Sequence, residues 1–240
     1  MSSIEQIRIK LQAQADPVRA KYSTWFFKFE PGQTDHFWGV AVPKQRQIAR
    51  QYYKHISPSE VPQLLHSDYH EERLTALLIW VTQYQKGDAK TKEQIYNLYL
   101  KNTKWVDNWD LVDSSASYIV GDYIFDKERT ILRSLSKSHN IWERRIATLA
   151  AGGFIKRGEF GPTLELAEHN LTDTHHYIHK ATGWMLREVG KQDETVLRDF
   201  LDKNAHKMPR TMLRYAIERL DSQARKNYLA QKKVVQSKNK

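Results

Sequence analysis

An all-α fold of stacked helix pairs is what this 240-residue sequence predicts, and three observations carry the prediction. Apolar residues recur at helical spacing in segments of roughly 10–18 residues. The breaks between segments are short and rich in Gly, Pro, Ser, Asn and Asp. No convincing period-two alternation and no Asn-Gly or Asp-Gly hairpin signal interrupts them.

The segments also repeat. Long helices are expected to begin near His70, Asn108, Ile141, Tyr177 and Pro209, at intervals of 38, 33, 36 and 32 residues. Shorter ones lie between them: KTKEQIYNLYLK, DKERTILRSLSK, GPTLELAEHN and DETVLRDFLDK. A helix pair at this interval marks a HEAT-like array, because a single pair cannot bury its apolar face and stacking must supply the core. The expected architecture is a right-handed α-solenoid with a concave groove lined by the second helix of each pair. It forms a single domain over residues 1–230, followed by a basic, flexible tail at 231–240. A compact irregular helical bundle is the competing architecture.

In chain order, HEERLTALLIWVTQYQKG carries an apolar stripe of Leu74, Leu77, Leu78, Val81 and Tyr84, and Gly87 stops it. KWVDNWDLVDSS follows at 104–115, with Asp107 a plausible cap and Asp110 three residues later in capping-box position. IWERRIATLAAGGFIKRG has Asn140 as its cap and a stripe of Ile146, Leu149, Ala150, Gly153 and Phe154. The Gly152–Gly153 pair costs about 1 kcal/mol per glycine in helix propensity, which predicts close approach of a neighbouring helix. HHYIHKATGWMLREVGK buries Ile178, Ala181, Met185 and Val189.

Composition bounds the function. A charged fraction of 28% and an aromatic fraction of 11% describe a folded chain. No apolar stretch approaches the length of a membrane span, and MSSIEQIRIKLQAQ lacks the apolar core of a secretion signal. A soluble, cytoplasmic (nucleoid-associated), monomeric protein with no membrane partner is expected. The absence of cysteine excludes disulfides, thiolate chemistry and cysteine-ligated zinc. Among ten histidines no HxxxH pair has a convincing third ligand, so neither a metal nor a cofactor is expected. Of the net charge of +10, nine units fall in residues 203–240, where eleven Lys and Arg face only Glu218 and Asp221. Such an end favours a polyanion such as nucleic acid, or serves as a solvated, solubilising tail.

Three places carry unusual chemistry. Trp109 and Asp113 are four apart, so a helix brings them to one face. With Asp107 and Asp110 occupied at the cap, Asp113 has no capping role, and a carboxylate one turn inside a helix must be paired, solvated or functional. A buried Asp–Arg pair between repeats is the alternative reading. Trp184 lies on a line with Lys180, Arg187 and Lys191, an aromatic flanked by cations that suits a phosphate backbone with a sugar or base on the ring. The alternative is a ring folded over the next repeat, with snorkelling stems beside it. Arg144 and Arg145 point about 100° apart on a helix. One is expected to pair with an acid such as Glu143 or Asp113 and the other to reach the concave wall; the segment leaves open which.

NWDLVD at 108–113, NIWERRIATL at 140–149 and HKATGWMLRE at 179–188, with FWGVAVPKQRQIAR at 37–50, together resemble the AlkD-like DNA alkylation-repair glycosylase family. The match spans roughly residues 35–215 in the expected order. The resemblance implies a HEAT-like solenoid that holds double-stranded DNA and hydrolyses the N-glycosidic bond of cationic alkylated purines, typified by 7-methylguanine and 3-methyladenine. It places the catalytic carboxylate at Asp113, the aromatic walls at Trp109 and Trp184, and a DNA-contacting arginine at Arg145. Lys180, Arg187, Lys191 and Arg144 are the further candidate DNA contacts. One departure stands at Ala41, where the family has a polar glutamine, which puts the polar contact from that edge in question. A non-catalytic DNA-binding solenoid recognising duplex or structured DNA is the alternative. A protein-binding scaffold is a third reading, against which Lys180, Arg187 and Lys191 beside Trp184 argue.

Overall fold

The computed structural model describes residues 1–27 and 34–231, which divide into two compact units, Met1–Ile119 and Val120–Lys240. The expected tail lies outside the described residues apart from Gln231. The first unit contains α1 (Ser3–Gln12), α2 (Pro17–Phe26), α3 (Val42–Tyr52), α4 (Pro62–Leu65), α5 (His70–Lys86), α6 (Ala89–Lys101) and α7 (Trp109–Asp113). The second contains α8 (Thr130–Ser136), α9 (Ile141–Ala150), α10 (Gly152–Ile155), α11 (Gly161–His169), α12 (His176–Gln192), α13 (Glu194–Asn204), α14 (Arg210–Ala216) and α15 (Ser222–Ala230). Among the described residues there is no strand, only an isolated bridge between His36 and Tyr69. The all-α prediction holds. No helix of the described residues is long and apolar enough to cross a membrane.

The first unit is built on α5, against which α1, α3, α4, α6 and α7 pack. Its apolar stripe is wider than the sequence suggested. Ala76, Ile79 and Trp80 are buried beside Leu74, Leu77, Val81 and Tyr84, while Leu78 is only partly covered. A helix covered nearly all round is a core helix, and its polar groups must then find partners. The Trp80 indole donates to Pro58 O at 3.0 Å, and the Gln83 amide donates to Tyr53 O and Ile56 O at 2.9 and 2.7 Å. Buried Glu71 accepts from the backbone N–H groups of Trp38, Gly39 and Val40 at 3.1, 2.8 and 3.1 Å. That carboxylate fixes the turn entering α3. Gly39 has φ +80°, and an added Cβ would lie 2.2 Å from Asp16 O. Only glycine fits there.

The second unit is built on α12, which packs on α9, α11, α13 and α14. The stripe read from the sequence (Ile178, Ala181, Met185, Val189) is buried as expected. Asn170 Nδ2 donates to Thr148 Oγ1 and Thr182 Oγ1 at 3.1 and 2.9 Å, joining α9 to α12 with buried hydroxyls. A close approach is found two residues before Gly152, at Ala150. A Cβ on Gly121 would meet Ala150 O at 2.1 Å, and the helix divides there into α9 and α10.

Two expectations around residue 108 need correction. The cap of α7 is Asn108, whose side chain accepts from Trp109 N at 2.8 Å; Asp107 and Asp110 are used elsewhere. The helix is also short, not long. Ser115 Oγ donates back to Leu111 O at 2.6 Å, and the chain turns before re-entering a π-helical stretch at Ser117–Gly121. A serine hydroxyl bonded to the carbonyl four residues earlier bends a helix.

Candidate functional site

In the first unit, α7 presents Trp109 and Asp113, both partly buried, at its two ends. Asp113 lies within electrostatic reach of a buried polar pair in which the Tyr99 hydroxyl and Ser115 Oγ are 2.9 Å apart. Burial pushes the Tyr99 phenol well above its ordinary value, and the negative charge of Asp113 adds to that rise. The phenol therefore stays a neutral hydrogen-bonding group.

Trp109 belongs to a chain of rings. Phe27 stacks on it with centroids 5.6 Å apart at 21°, and Phe26 meets it edge-on at 6.1 Å. Phe27 in turn lies 4.8 Å from the His70 ring, and Phe37 stacks on both, 5.1 Å from His70 and 5.2 Å from Phe27. His70 is held between two carboxylates, Nδ1 to Asp35 Oδ2 and Nε2 to Asp110 Oδ2, both at 2.7 Å. Burial alone would lower its basicity, but Asp110 and Asp35 outweigh burial and raise it to about 10. Arg73 bonds the same Asp35 and, at 2.7 Å, Asp107. Burial raises the Asp107 carboxyl, opposed by Arg73. These are the partners that take Asp107 and Asp110 away from the cap.

Sequence reasoning passed over α2. None of its residues is buried, and Trp25, Tyr22 and Phe26 are 76%, 58% and 48% exposed. The signal was available: Tyr22, Trp25 and Phe26 stand at helical spacing on one face of PVRAKYSTWF. Exposed rings at this density, with Arg19 and Lys21 on the same helix, continue the aromatic surface that begins at Trp109.

In the second unit, α12 carries Lys180, Trp184, Arg187 and Lys191, and Trp184 is partly exposed. A residue the sequence reading missed organises this line. Glu188 accepts from the Trp184 indole at 3.0 Å and pairs with Lys191 Nζ at 2.6 Å and with Arg187 at 3.7 Å. Arg187 also pairs with Glu218 in the turn after α14. Glu188 fixes the indole plane while neutralising part of the charge beside it. Among the described residues Lys180 has no ion-pair partner.

The arginine alternatives resolve in part. Arg144 pairs with Asp173 at 2.8 Å and donates to Ser138 O and His139 O at 3.0 and 3.2 Å. Arg145 is only 4% exposed, with Nη1 donating to Tyr177 O at 2.6 Å between α9 and α12. Among the described residues no group of three or more His, Asp and Glu side chains is arranged to hold a metal ion.

Residues 7–220 match the model of a protein family described as DNA alkylation repair enzyme. Two solved structures are similar. One is a predicted DNA alkylation repair enzyme from Enterococcus faecalis (TM-score 0.70, 17% identity, 87% of this chain and 98% of that one). The other is AlkD2 from Streptococcus mutans (TM-score 0.56, 18% identity, 76% and 91%). At these identities the likeness is one of fold. Among curated proteins none matches.

Proposed function

From the premise that this chain belongs to the DNA alkylation repair enzyme family, we propose that it is a DNA glycosylase. Its substrates are positively charged alkylated purines in duplex DNA, such as 7-methylguanine and 3-methyladenine. The observation that carries this reading is the pair Trp109 and Asp113 on α7, an indole and a carboxylate at the two ends of one short helix.

A purine nucleotide alkylated at N7 or N3 already bears positive charge. It therefore departs with the bonding electron pair as a neutral base, and no general acid is needed. The sugar left behind is oxocarbenium-like, and water adds at C1′ with loss of a proton. A fixed carboxylate stabilises that charge where it develops and accepts or orients the water proton, the role assigned to Asp113. The electron-rich faces of Trp109 and of Trp184 suit cationic sugar or base. The exposed rings of α2 suit stacking against nucleotides. Phosphate contact falls first to Lys180, Arg187 and Lys191. Arg144 and Arg145, engaged with Asp173 and Tyr177 O, are proposed to hold the α9–α12 surface that DNA meets.

The test is incubation of methylated duplex DNA with the full chain. Free 7-methylguanine and an abasic site are expected, with no release from unmethylated DNA. Duplex binding without any release would instead make this a non-catalytic DNA-binding member. Binding itself is expected to be strongly salt-dependent. Lys180→Ala is expected to reduce the slope of log K against log[salt] by about 1, as removal of one phosphate contact does. Fluorescence anisotropy of a labelled duplex across a salt series reads this directly, and an unchanged slope removes Lys180 from the interface.

A further inference from the structure

We propose that His70 is a positioning residue for Trp109, acting as an imidazolium clamped between Asp35 and Asp110. The inference rests on the glycosylase reading for its kinetic consequence but not for its geometry.

Both ring nitrogens of His70 face carboxylate oxygens at 2.7 Å. A neutral imidazole carries one N–H and would point a lone pair at one of those oxygens; only the doubly protonated ring donates at both. The side chain is 3% exposed, so no water substitutes for either partner. Two independent routes run from this cation to Trp109. Through the backbone, Asp110 is the residue next to Trp109 in the first turn of α7, and His70 holds its Oδ2 while Oδ1 accepts from Leu111 N at 2.9 Å. Through the rings, Phe27 lies between His70 and Trp109, at 4.8 and 5.6 Å. The indole is thus set from its own helix and from the ring behind it.

The charged groups around His70 are Asp35 on the segment before α3, Asp107 and Asp110 at the entry to α7, and Arg73 on its own helix, three carboxylates against two cations. Neutralising the imidazole leaves three carboxylates against Arg73 alone, which forces the network to rearrange. His70 is raised from 6.5 to about 10. Its bound proton therefore stabilises the fold fully below pH 6.5, and that contribution is lost as the pH rises through 10.

The test reads Trp109 itself. In the fluorotryptophan-labelled full chain, the Trp109 fluorine resonance is identified by its loss in Trp109→Phe. It is expected to shift over about pH 8 to 11 with a midpoint near 10. In Asp110→Asn, which keeps the ring but removes one carboxylate, the midpoint is expected to fall by about one pH unit or more. In His70→Gln the titration is expected to vanish, and single-turnover release of 7-methylguanine at neutral pH to slow roughly ten- to a hundredfold with duplex affinity unchanged, as misplacement of a contact group does. A Trp109 resonance that ignores both pH and the variants overturns the proposal. So does a His70→Gln release rate within about twofold of an active wild type, given that scale of effect. If the wild type releases no base, the glycosylase reading fails, and the pH-linked resonance still reports the coupling of His70 to Trp109.

Discussion

Asp113→Asn is expected to lower single-turnover release of 7-methylguanine roughly 10²–10³-fold, the scale of removing one preorganised electrostatic contact from a transition state. The amide keeps the shape of the carboxylate and leaves the Tyr99–Ser115 hydrogen bond intact. What it loses is the negative charge that stabilises positive charge developing on the sugar. Duplex affinity, set by phosphate contacts on other residues, is expected to change little. The measurement is a quenched single-turnover assay at saturating protein, paired with anisotropy for binding. Equal release by the two proteins would remove Asp113 from the chemistry. Equal loss of release and of binding would assign it to the architecture of α7.

Gly183→Ala is expected to destabilise the second unit markedly for so small a substitution. The added Cβ would lie 2.4 Å from Met212 O and 2.6 Å from Tyr215 Cβ, so α12 and α14 would have to separate along a buried seam that includes Leu186, Met212 and Leu213. Alanine gains about 1 kcal/mol of helix propensity over glycine. Forced overpacking typically costs about 1–3 kcal/mol and occasionally more. Because the clashing atom is backbone, the upper end applies and the clash wins. The melting temperature is expected to fall by about 2–4 °C per kcal/mol in a chain of this size. Gly161→Ala, with nothing within 4 Å of its Cβ, is the control and is expected to melt within a degree or two of wild type. Identical melting of the two variants would refute the assigned seam.

The same glycine shows what the sequence could reveal. HKATGWMLRE was recognisable as a pattern, and the reason for its glycine is the α14 backbone lying against it. Helix starts were readable wherever a cap or an apolar stripe announced them, as at His70 and Ile141. The break after Asp113 was not, because it depends on a serine hydroxyl choosing Leu111 O. Trp109 and Asp113 were legible as one helical face. Their supports were not, because His70, Asp35, Tyr99 and Phe27 reach α7 from distant segments. Ion-pair partners were missed for a related reason. Arg73 pairs with Asp107, Arg144 with Asp173 and Arg187 with Glu218, all at separations near one repeat. The 32–38-residue interval was already in hand, so acids lying one repeat downstream were the place to look.

The bareness of α2 has a dynamic consequence. Asp16 N bonds Trp38 O at 2.8 Å at one end, and Phe26 and Phe27 touch Trp109 at the other, yet no residue of the helix is buried. Cooperative unfolding is driven by apolar area withdrawn from water, and α2 withdraws little. It can therefore detach and return as a sub-global opening while the α5-centred core stays closed, at the low-cost end of native fluctuations.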